Sequence, residues 1–170
     1  MPPRPSAQRP VDRQAFFDSS GFFAVGVQGD ANFEQARRIM ARLQKEHVTL
    51  TTTIFVVAEA HALFLSRAGR DPAARFLRGL SNTSIEIVHP TTGDEARAFA
   101  IVERYTDKSF PLTDALPPQL QQGQIHRGYT DKSFPLTDAL SFAVMERLGI
   151  STAFTFDRDF EQFGFAFARP

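Results

Sequence analysis

The chain has 170 residues, enough for one domain with a buried core, and its 19 basic and 19 acidic residues leave no formal net charge. This balance gives no sign of bulk electrostatic attraction to nucleic acid, although a local basic patch is still allowed. The chain lacks cysteine, which excludes disulfides and thiol chemistry, and no apolar run reaches the roughly 18 to 20 residues of a membrane span, so we expect a cytoplasmic protein.

Residues 1–13 are rich in proline and arginine and contain no apolar segment, so they are predicted to form a flexible tail and not a secretory signal. From residue 14 onwards, short apolar strands alternate with amphipathic helices, which is typical of an α/β protein with a parallel sheet. Strands are predicted at 14–19, 48–52, 84–88, 151–156 and 165–167. Helices are predicted at 32–45, 53–67, 71–80, 92–105 and 138–148, with a turn at 19–21 and a short turn or helix at 158–163.

Acidic residues recur where the predicted strands end. Asp18 ends the first strand, and Asp157 directly follows the fourth strand. Glu59 lies in the second turn of the helix after the second strand, among apolar neighbours where a buried charge is costly. Because ligands collect beyond the carboxyl ends of parallel strands, we expect these acids to share one site.

A duplicated segment precedes the fourth acid. The twelve residues Tyr105–Leu116 recur unchanged at Tyr129–Leu140, an offset of 129 − 105 = 24, and 105–128 is predicted to be an inserted loop segment. Two prolines closely follow Asp114 and would stop a helix there, whereas Asp138 opens an amphipathic helix behind a threonine N-cap. Asp138 is therefore the predicted site residue, with a swap of the two copies between registers or chains as the alternative.

Four converging carboxylates repel one another unless cations neutralise them. An oxygen-only set favours Mg²⁺ or Mn²⁺ over zinc, and such an ion suits phosphodiester hydrolysis because it lowers the pKa of a bound water. Asp159 competes with Asp157 for one position, but Asp157 is favoured because it follows the strand directly. The predicted metal-binding and catalytic residues are Asp18, Glu59, Asp138 and Asp157, and the predicted outer partners are Ser20, Thr137 (also the predicted N-cap), Thr155 and Asp159.

Four motifs occur in order along the chain: Phe16-Phe17-Asp18-Ser19-Ser20, Val57-Ala58-Glu59, Leu136-Thr137-Asp138-Ala139 and Phe154-Thr155-Phe156-Asp157-Arg158-Asp159-Phe160. Together they resemble the four acidic motifs of the PIN-domain family, and within it the bacterial VapC-type toxins. The resemblance covers roughly 16–167 and implies a three-layer α/β/α sandwich with a central parallel sheet, as a single PIN-like domain over 14–170.

The same resemblance implies a metal-dependent endoribonuclease of the toxin-antitoxin type, which hydrolyses RNA with a metal-activated water and has a protein antitoxin as partner. By motif, the metal-binding acids would be Asp18, Glu59, Asp138 and Asp157, and Ser20 would be the small hydroxyl. The insertion before Asp138 departs from the family pattern.

That departure leaves a second hypothesis, a catalytically silent PIN-like interaction module that binds an antitoxin-like partner or a second copy of itself as a homodimer. Binding of Mn²⁺ would separate the two hypotheses. A receiver-like phosphoacceptor at Asp18 is disfavoured, because the chain lacks the adjacent acidic pair and the later lysine that such a protein needs.

Overall fold

The computed structural model of the protein describes residues 14–106 and 134–170. Within these ranges five short strands form one sheet, and every neighbouring pair in it is parallel. The strands are β1 Gln14–Phe17, β2 Thr49–Thr53, β3 Glu86–Val88, β4 Thr152–Phe154 and β5 Ala166–Phe167. Their order, β3-β2-β1-β4-β5, reverses direction between β1 and β4, and such a switch point is where open parallel sheets bind ligands.

Seven helices flank the sheet in the described part of the chain, and none of them combines the length and apolar character needed to cross a bilayer. They are α1 Ser19–Gly26, α2 Phe33–Lys45, α3 Ile54–Arg67, α4 Arg70–Leu80, α5 Thr92–Thr106, α6 Leu136–Leu148 and α7 Arg158–Phe163. Helices α1 to α4 pack together, and α5 to α7 form a second group. The predicted α/β/α sandwich with a central parallel sheet is confirmed.

Phenylalanine fills both sides of the sheet, because alternate residues of a strand point to opposite faces. Phe17 of β1 stacks on Phe22 of α1, with ring centroids 4.0 Å apart, and this contact belongs to the face covered by α1 to α4. The ring centroid of its neighbour Phe16 lies 6.1 Å from that of Phe160 of α7, on the other face of the sheet. Phe160 in turn meets Phe142 of α6 edge to face at 5.0 Å. Aromatic contacts therefore pack β1 against helices on both faces of the sheet.

The structure corrects the prediction around the first acid. The first strand ends at Phe17, and residues 19–26 form helix α1 where a turn at 19–21 was predicted. Gly21 allows this helix to lie against β4, since a Cβ there would be only 2.6 Å from the backbone oxygen of Phe154. The fourth strand is also shorter than predicted, ending at Phe154.

Helix α6 begins at Leu136, so the prediction of Thr137 as its N-cap is wrong. The cap position is Pro135, whose φ of −56° is already close to the helical value, and no side chain caps this end. Thr137 instead lies in the first turn, where its carbonyl oxygen accepts a hydrogen bond from Ser141 Oγ at 2.9 Å.

Two ion pairs among the described residues connect α5 to α6. Arg97 makes two hydrogen bonds to the Glu146 carboxylate, at 2.8 and 3.0 Å, and Arg147 donates to Asp94 at 2.9 Å. Asp94 is itself only 3% exposed, and hydrogen bonds from Arg147 and Thr91 outweigh its burial and lower its pKa. These pairs fix the helix that carries Asp138.

The predicted tail at 1–13 lies outside the described residues, and so does most of the predicted inserted segment. Tyr105 and Thr106 belong to α5, but residues 107–133 are not described. The described chain resumes at Phe134, whose ring centroid lies 4.5 Å from that of Tyr105. The two flanks of the undescribed segment are therefore in contact.

Candidate metal centre

The four predicted acids arise from four different elements and converge at the carboxyl ends of the strands. Asp18 follows β1, Asp157 follows β4, Glu59 lies in α3, and Asp138 lies in the first turn of α6. Carboxylate oxygens of Asp18, Glu59 and Asp138 lie within 4.8 Å of one another. Asp138, Asp157 and Asp159 form a second group with the same spacing, so Asp138 joins the two groups.

A network of short hydrogen bonds fixes Asp18. Its Oδ2 accepts from Ser20 N at 3.2 Å, from Ser20 Oγ at 2.8 Å and from Thr155 Oγ1 at 3.0 Å. The two hydroxyls also accept backbone N–H groups from the turn after β4, Ser20 Oγ from Phe156 and Thr155 Oγ1 from Asp157, both at 2.9 Å. Ser20 and Thr155 thus tie the acid after β1 to the turn that carries the acid after β4.

Asp18 and Asp157 hold their positions because both are helix N-caps. Asp18 caps α1, and Asp157 caps α7 by accepting a hydrogen bond from Asp159 N at 2.9 Å. A capping carboxylate has a fixed rotamer and satisfies a free N–H at the helix start. The sequence placed these acids at strand ends, but their pairing with the following helices is a finding of the structure.

Burial raises the pKa of three of the acids, and neighbouring carboxylates add to the shift for Asp138 and Glu59. Burial, followed by the charge of Asp18, raises the pKa of Asp138 to about 8, and Asp157, Glu59 and Asp159 add to this effect. Burial also raises the pKa of Asp18, against the hydrogen bonds that it accepts. Like charges at these separations repel one another, and a cation between them would favour their ionised forms.

Glu59 and Asp157 are the exposed members of the cluster. Burial of part of the Glu59 side chain and the charge of Asp18 raise the pKa of Glu59, while a hydrogen bond from the side chain of Ser19 acts in the opposite direction. Sequence reasoning assigned Ser20 as the site hydroxyl and missed Ser19. Its position next to Asp18 at the start of a helix was the available signal, but that helix was itself not predicted.

Two of the predicted outer partners, Asp159 and Thr137, differ from the prediction in what they contact. Asp159 contributes an oxygen to the group of Asp138 and Asp157, so it is a possible direct ligand. Thr137 makes no hydrogen bond to any of the acids among the described residues, and its carbonyl oxygen accepts a hydrogen bond from Ser141 Oγ. The other two, Ser20 and Thr155, contact Asp18 as expected, since each donates a hydrogen bond to its Oδ2.

The donor set fits a hard divalent cation. Both groups of acids consist only of aspartate and glutamate, and two members, Asp18 and Asp138, are just 3% and 6% exposed. Ligand oxygens on opposite sides of Mg²⁺ are about 4.2 Å apart, given bonds of roughly 2.1 Å, so a spacing within 4.8 Å needs little adjustment. Buried carboxylates of raised pKa gain most from such an ion, because it offsets their repulsion.

Comparisons with known proteins agree with this geometry. The PIN domain family matches residues 15–166. The 23S rRNA-specific endonuclease VapC20, from two strains of Mycobacterium tuberculosis, is 28% identical over 155 residues, which are 91% of this chain and 98% of the relative.

A solved structure is similar as well. The crystal structure of Mycobacterium tuberculosis VapC20, described as a sarcin-ricin loop cleaving toxin, superposes with a TM-score of 0.71 at 27% identity, covering 92% of this chain and 99% of that one. The match extends over nearly the whole chain, including both sides of the undescribed segment. The chain therefore belongs to the PIN-domain family, and within it to the VapC type, as its four acidic motifs predicted.

Proposed function

We propose that this protein is a metal-dependent endoribonuclease of the toxin-antitoxin type, which hydrolyses phosphodiester bonds of RNA. The observation that carries the proposal is the meeting of carboxylates from four separate elements at the switch point of the sheet. The similarity to VapC20, an endonuclease specific for 23S rRNA, supports the choice of RNA as substrate. A protein with this substrate would act in the cytoplasm.

Asp18, Glu59, Asp138 and Asp157 would hold Mg²⁺ or Mn²⁺, with Asp159 beside Asp157. Such an ion supplies Lewis-acid polarisation of the phosphodiester and lowers the pKa of a water when it is bound. Asp18 presents its carboxylate in one orientation, because Ser20 and Thr155 hold Oδ2. Asp138, with a pKa of about 8, keeps its proton in the protein alone and releases it to solvent when the site is filled.

Replacement of Asp18 by asparagine tests the proposal. Asp18→Asn should abolish RNA cleavage in Mg²⁺ or Mn²⁺ while leaving the fold intact, because the amide oxygen can still accept the hydrogen bonds from Ser20 and Thr155. The matched control is Asp71→Asn, which removes an exposed first-turn acid of α4 and should leave cleavage unchanged. Undiminished cleavage by a folded Asp18→Asn protein would rule out this site.

The insertion before Asp138 favours one other candidate, the catalytically silent PIN-like module. In that case the acids would not bind a cation with useful affinity. Titration with Mn²⁺ distinguishes the two functions. A rise in melting temperature with Mn²⁺ supports the nuclease, and no change in melting temperature supports the silent module.

An antitoxin is the protein partner that this proposal includes. An apolar cavity of about 330 Å³ between α1, α2, α3 and α4 offers it a surface away from the acids, lined by Phe17, Phe22, Met40, Phe64, Phe76 and Leu80 among others. Expression of the chain should arrest growth, and co-expression of the adjacent gene should relieve the arrest. A homodimer is the other association proposed, and light scattering of the purified protein tests it.

We further propose that the chain is one PIN-like domain over 14–170 in which 105–128 is dispensable. Tyr105, the first residue of the inserted segment, already contacts Phe134, which lies beyond its end. Deleting 105–128 joins Arg104 to Tyr129, which places an identical tyrosine and the identical following residues at the end of α5. The shortened protein should have an unchanged or higher melting temperature, because closing a shorter loop costs less entropy. A large fall would show that the segment contributes to the fold.

A further inference from the structure

A polar cavity of about 480 Å³ opens directly beside the acid cluster. Ser20 and Asp157 line it, and both are part of the network that fixes the acids. The volume lies within the roughly 300 to 1,000 Å³ typical of small-ligand pockets, so it can accommodate one nucleotide. The cavity is therefore an extension of the acidic site along the protein surface.

Helix α3 links the acid cluster to this cavity. Glu59 and Arg67 are eight residues apart, so they share one face of the helix, and a rise of 1.5 Å per residue separates their backbones by about 12 Å. The Arg67 side chain lines the cavity and, like all helical side chains, tilts towards the helix N-terminus, hence towards Glu59. Its guanidinium carbon lies 6.0 Å from the centroid of the Phe23 ring, a cation–π contact that restricts its position.

A second arginine, from α7, also lines the cavity. Arg158 directly follows the cap residue Asp157, and both its side chain and that of Arg67 are exposed. Neither arginine forms an ion pair with another residue in the part of the chain that the structure describes. The two carboxylates that line the cavity have other roles, since Asp157 belongs to the acid cluster and Asp30 accepts the Asn32 N–H at 2.8 Å. The cavity thus presents two guanidinium groups to an anion.

The aromatic ring of Phe156 also lines the cavity. Phe156 is half-buried and follows β4, and its backbone N–H is held by Ser20 Oγ at 2.9 Å. Its ring meets Phe154 at a centroid distance of 6.2 Å. An aromatic ring beside paired arginines is the combination that binds single-stranded nucleic acid, because bases stack on the ring while cations contact the phosphates.

We propose that this cavity seats a nucleotide of the RNA next to the scissile bond, with Arg67 and Arg158 on its phosphate and Phe156 against its base. The proposal rests on the proposed nuclease function and assigns the substrate contacts that the acids themselves do not provide. The nucleotide bound in the cavity would be unpaired, since a base within a duplex is not free to stack on a side chain.

Steady-state cleavage of a single-stranded RNA oligonucleotide by the full chain tests the assignment. Arg67→Gln and Arg158→Gln should each raise KM by roughly fivefold at 0.1 M salt, since a phosphate contact on single-stranded nucleic acid contributes a slope of about 0.7 in log–log salt plots. The salt dependence of KM should fall by the same slope, with kcat little changed, because these contacts bind ground state and transition state alike. Arg67→Lys should restore most of the loss, since it keeps the charge.

Arg78→Gln is the matched control, because Arg78 is an exposed arginine of α4 that does not line the cavity. It should leave KM and its salt dependence unchanged. Phe156→Leu should raise KM by about tenfold without altering the salt dependence, as expected for loss of stacking. Melting temperatures identify any variant that fails to fold.

KM values for Arg67→Gln and Arg158→Gln that equal the value for Arg78→Gln, with an unchanged salt dependence, would overturn the assignment. Failure of the proposed function looks different: the unaltered protein would not cleave RNA in Mn²⁺, and this inference would fall with it. If the unaltered protein binds Mn²⁺ and cleaves RNA, and the arginine variants keep its KM, only the assignment of the cavity as a nucleotide site is refuted.

Discussion

The clearest quantitative consequence of the structure concerns pH and metal binding. The pKa of Asp138 is about 8 in the protein alone, because the side chain is buried and faces the charges of Asp18, Asp157 and Glu59. At neutral pH this carboxyl is therefore protonated, and it must lose its proton before it can bind a cation. We expect Mn²⁺ affinity to rise steeply with pH up to about 8 and then to level off.

The expected magnitude follows from the ionised fraction of Asp138. With a pKa of about 8, that fraction is about 1% at pH 6 and about 9% at pH 7, so affinity should increase roughly tenfold per pH unit. This factor corresponds to about 1.4 kcal/mol of deprotonation free energy at pH 7. The raised pKa values of Asp18 and Glu59 should make the dependence steeper at the acidic end.

Isothermal titration calorimetry with Mn²⁺ checks this prediction. Measurements in two buffers of different ionisation enthalpy count the protons released, and we expect about one per bound ion at pH 7. Asp138→Asn should remove that proton release and weaken binding at pH 8, whereas the surface variant Asp71→Asn should behave like the unaltered protein. Equal affinities at pH 6 and pH 7.5, with no proton released, would refute the assigned electrostatics of the cluster.

Three further predictions concern stability. First, with metal removed by chelator, the free energy of unfolding should fall between pH 6 and pH 8 by up to about 1.4 kcal/mol per pH unit, relative to the Asp138→Asn variant. The reason is that Asp138 binds its proton more tightly in the folded state than in the unfolded state. A free energy of unfolding that rises over this pH range would contradict the prediction. Second, the hydroxyl of Thr51 is fully buried without a hydrogen-bond partner among the described residues, so Thr51→Val should stabilise the protein by about 1 kcal/mol in urea unfolding. Thr52→Val, which loses a 2.7 Å bond to the last carbonyl oxygen of β1, should instead destabilise it by about 1 kcal/mol, and shifts of the same sign would disprove the contrast. Third, Gly21→Ala should cost about 1 to 3 kcal/mol, because the added Cβ would lie 2.6 Å from a backbone oxygen of β4. Gly79→Ala, which meets no atom within 4 Å, should be neutral or stabilising by thermal melting, and equal melting temperatures of the two variants would argue against the close packing of α1 on β4.

Local patterns were enough to predict the architecture and the location of the four acids. Alternating apolar strands and amphipathic helices specify a parallel sheet, and acids that follow its strands must gather at one edge. The prolines after Asp114 and the amphipathic helix after Asp138 favoured Asp138 as the site residue, and the structure places Asp138 in the first turn of α6 and among the acids. Residues 107–133 are not described, so the structural fate of Asp114 stays a prediction.

Helix α1 shows where local reasoning fails. Ser19-Ser20-Gly21 has the composition of a turn, and the helix lacks a polar face that would give an amphipathic pattern. It forms because Asp18 caps it and because Phe22 stacks on Phe17, and Gly21 packs it closely against the backbone of β4. Helix α6 begins earlier than predicted, because Pro135 occupies the cap position and its φ already suits a helix start at Leu136.

The amino-acid sequence by itself determined the fold class, and it predicted the four acids and the kind of ion that such acids prefer, because these depend on residue type and on spacing along the chain. Only the tertiary structure decided which oxygens lie within 4.8 Å, that Asp159 joins the acids, and that Ser19 contacts Glu59. It also placed Arg67 and Arg158 on one cavity, although they are 91 residues apart in the chain. Burial and separations between distant residues exist only once the sheet and helices have packed, and these quantities set the pKa values of the acids and the lining of the cavity.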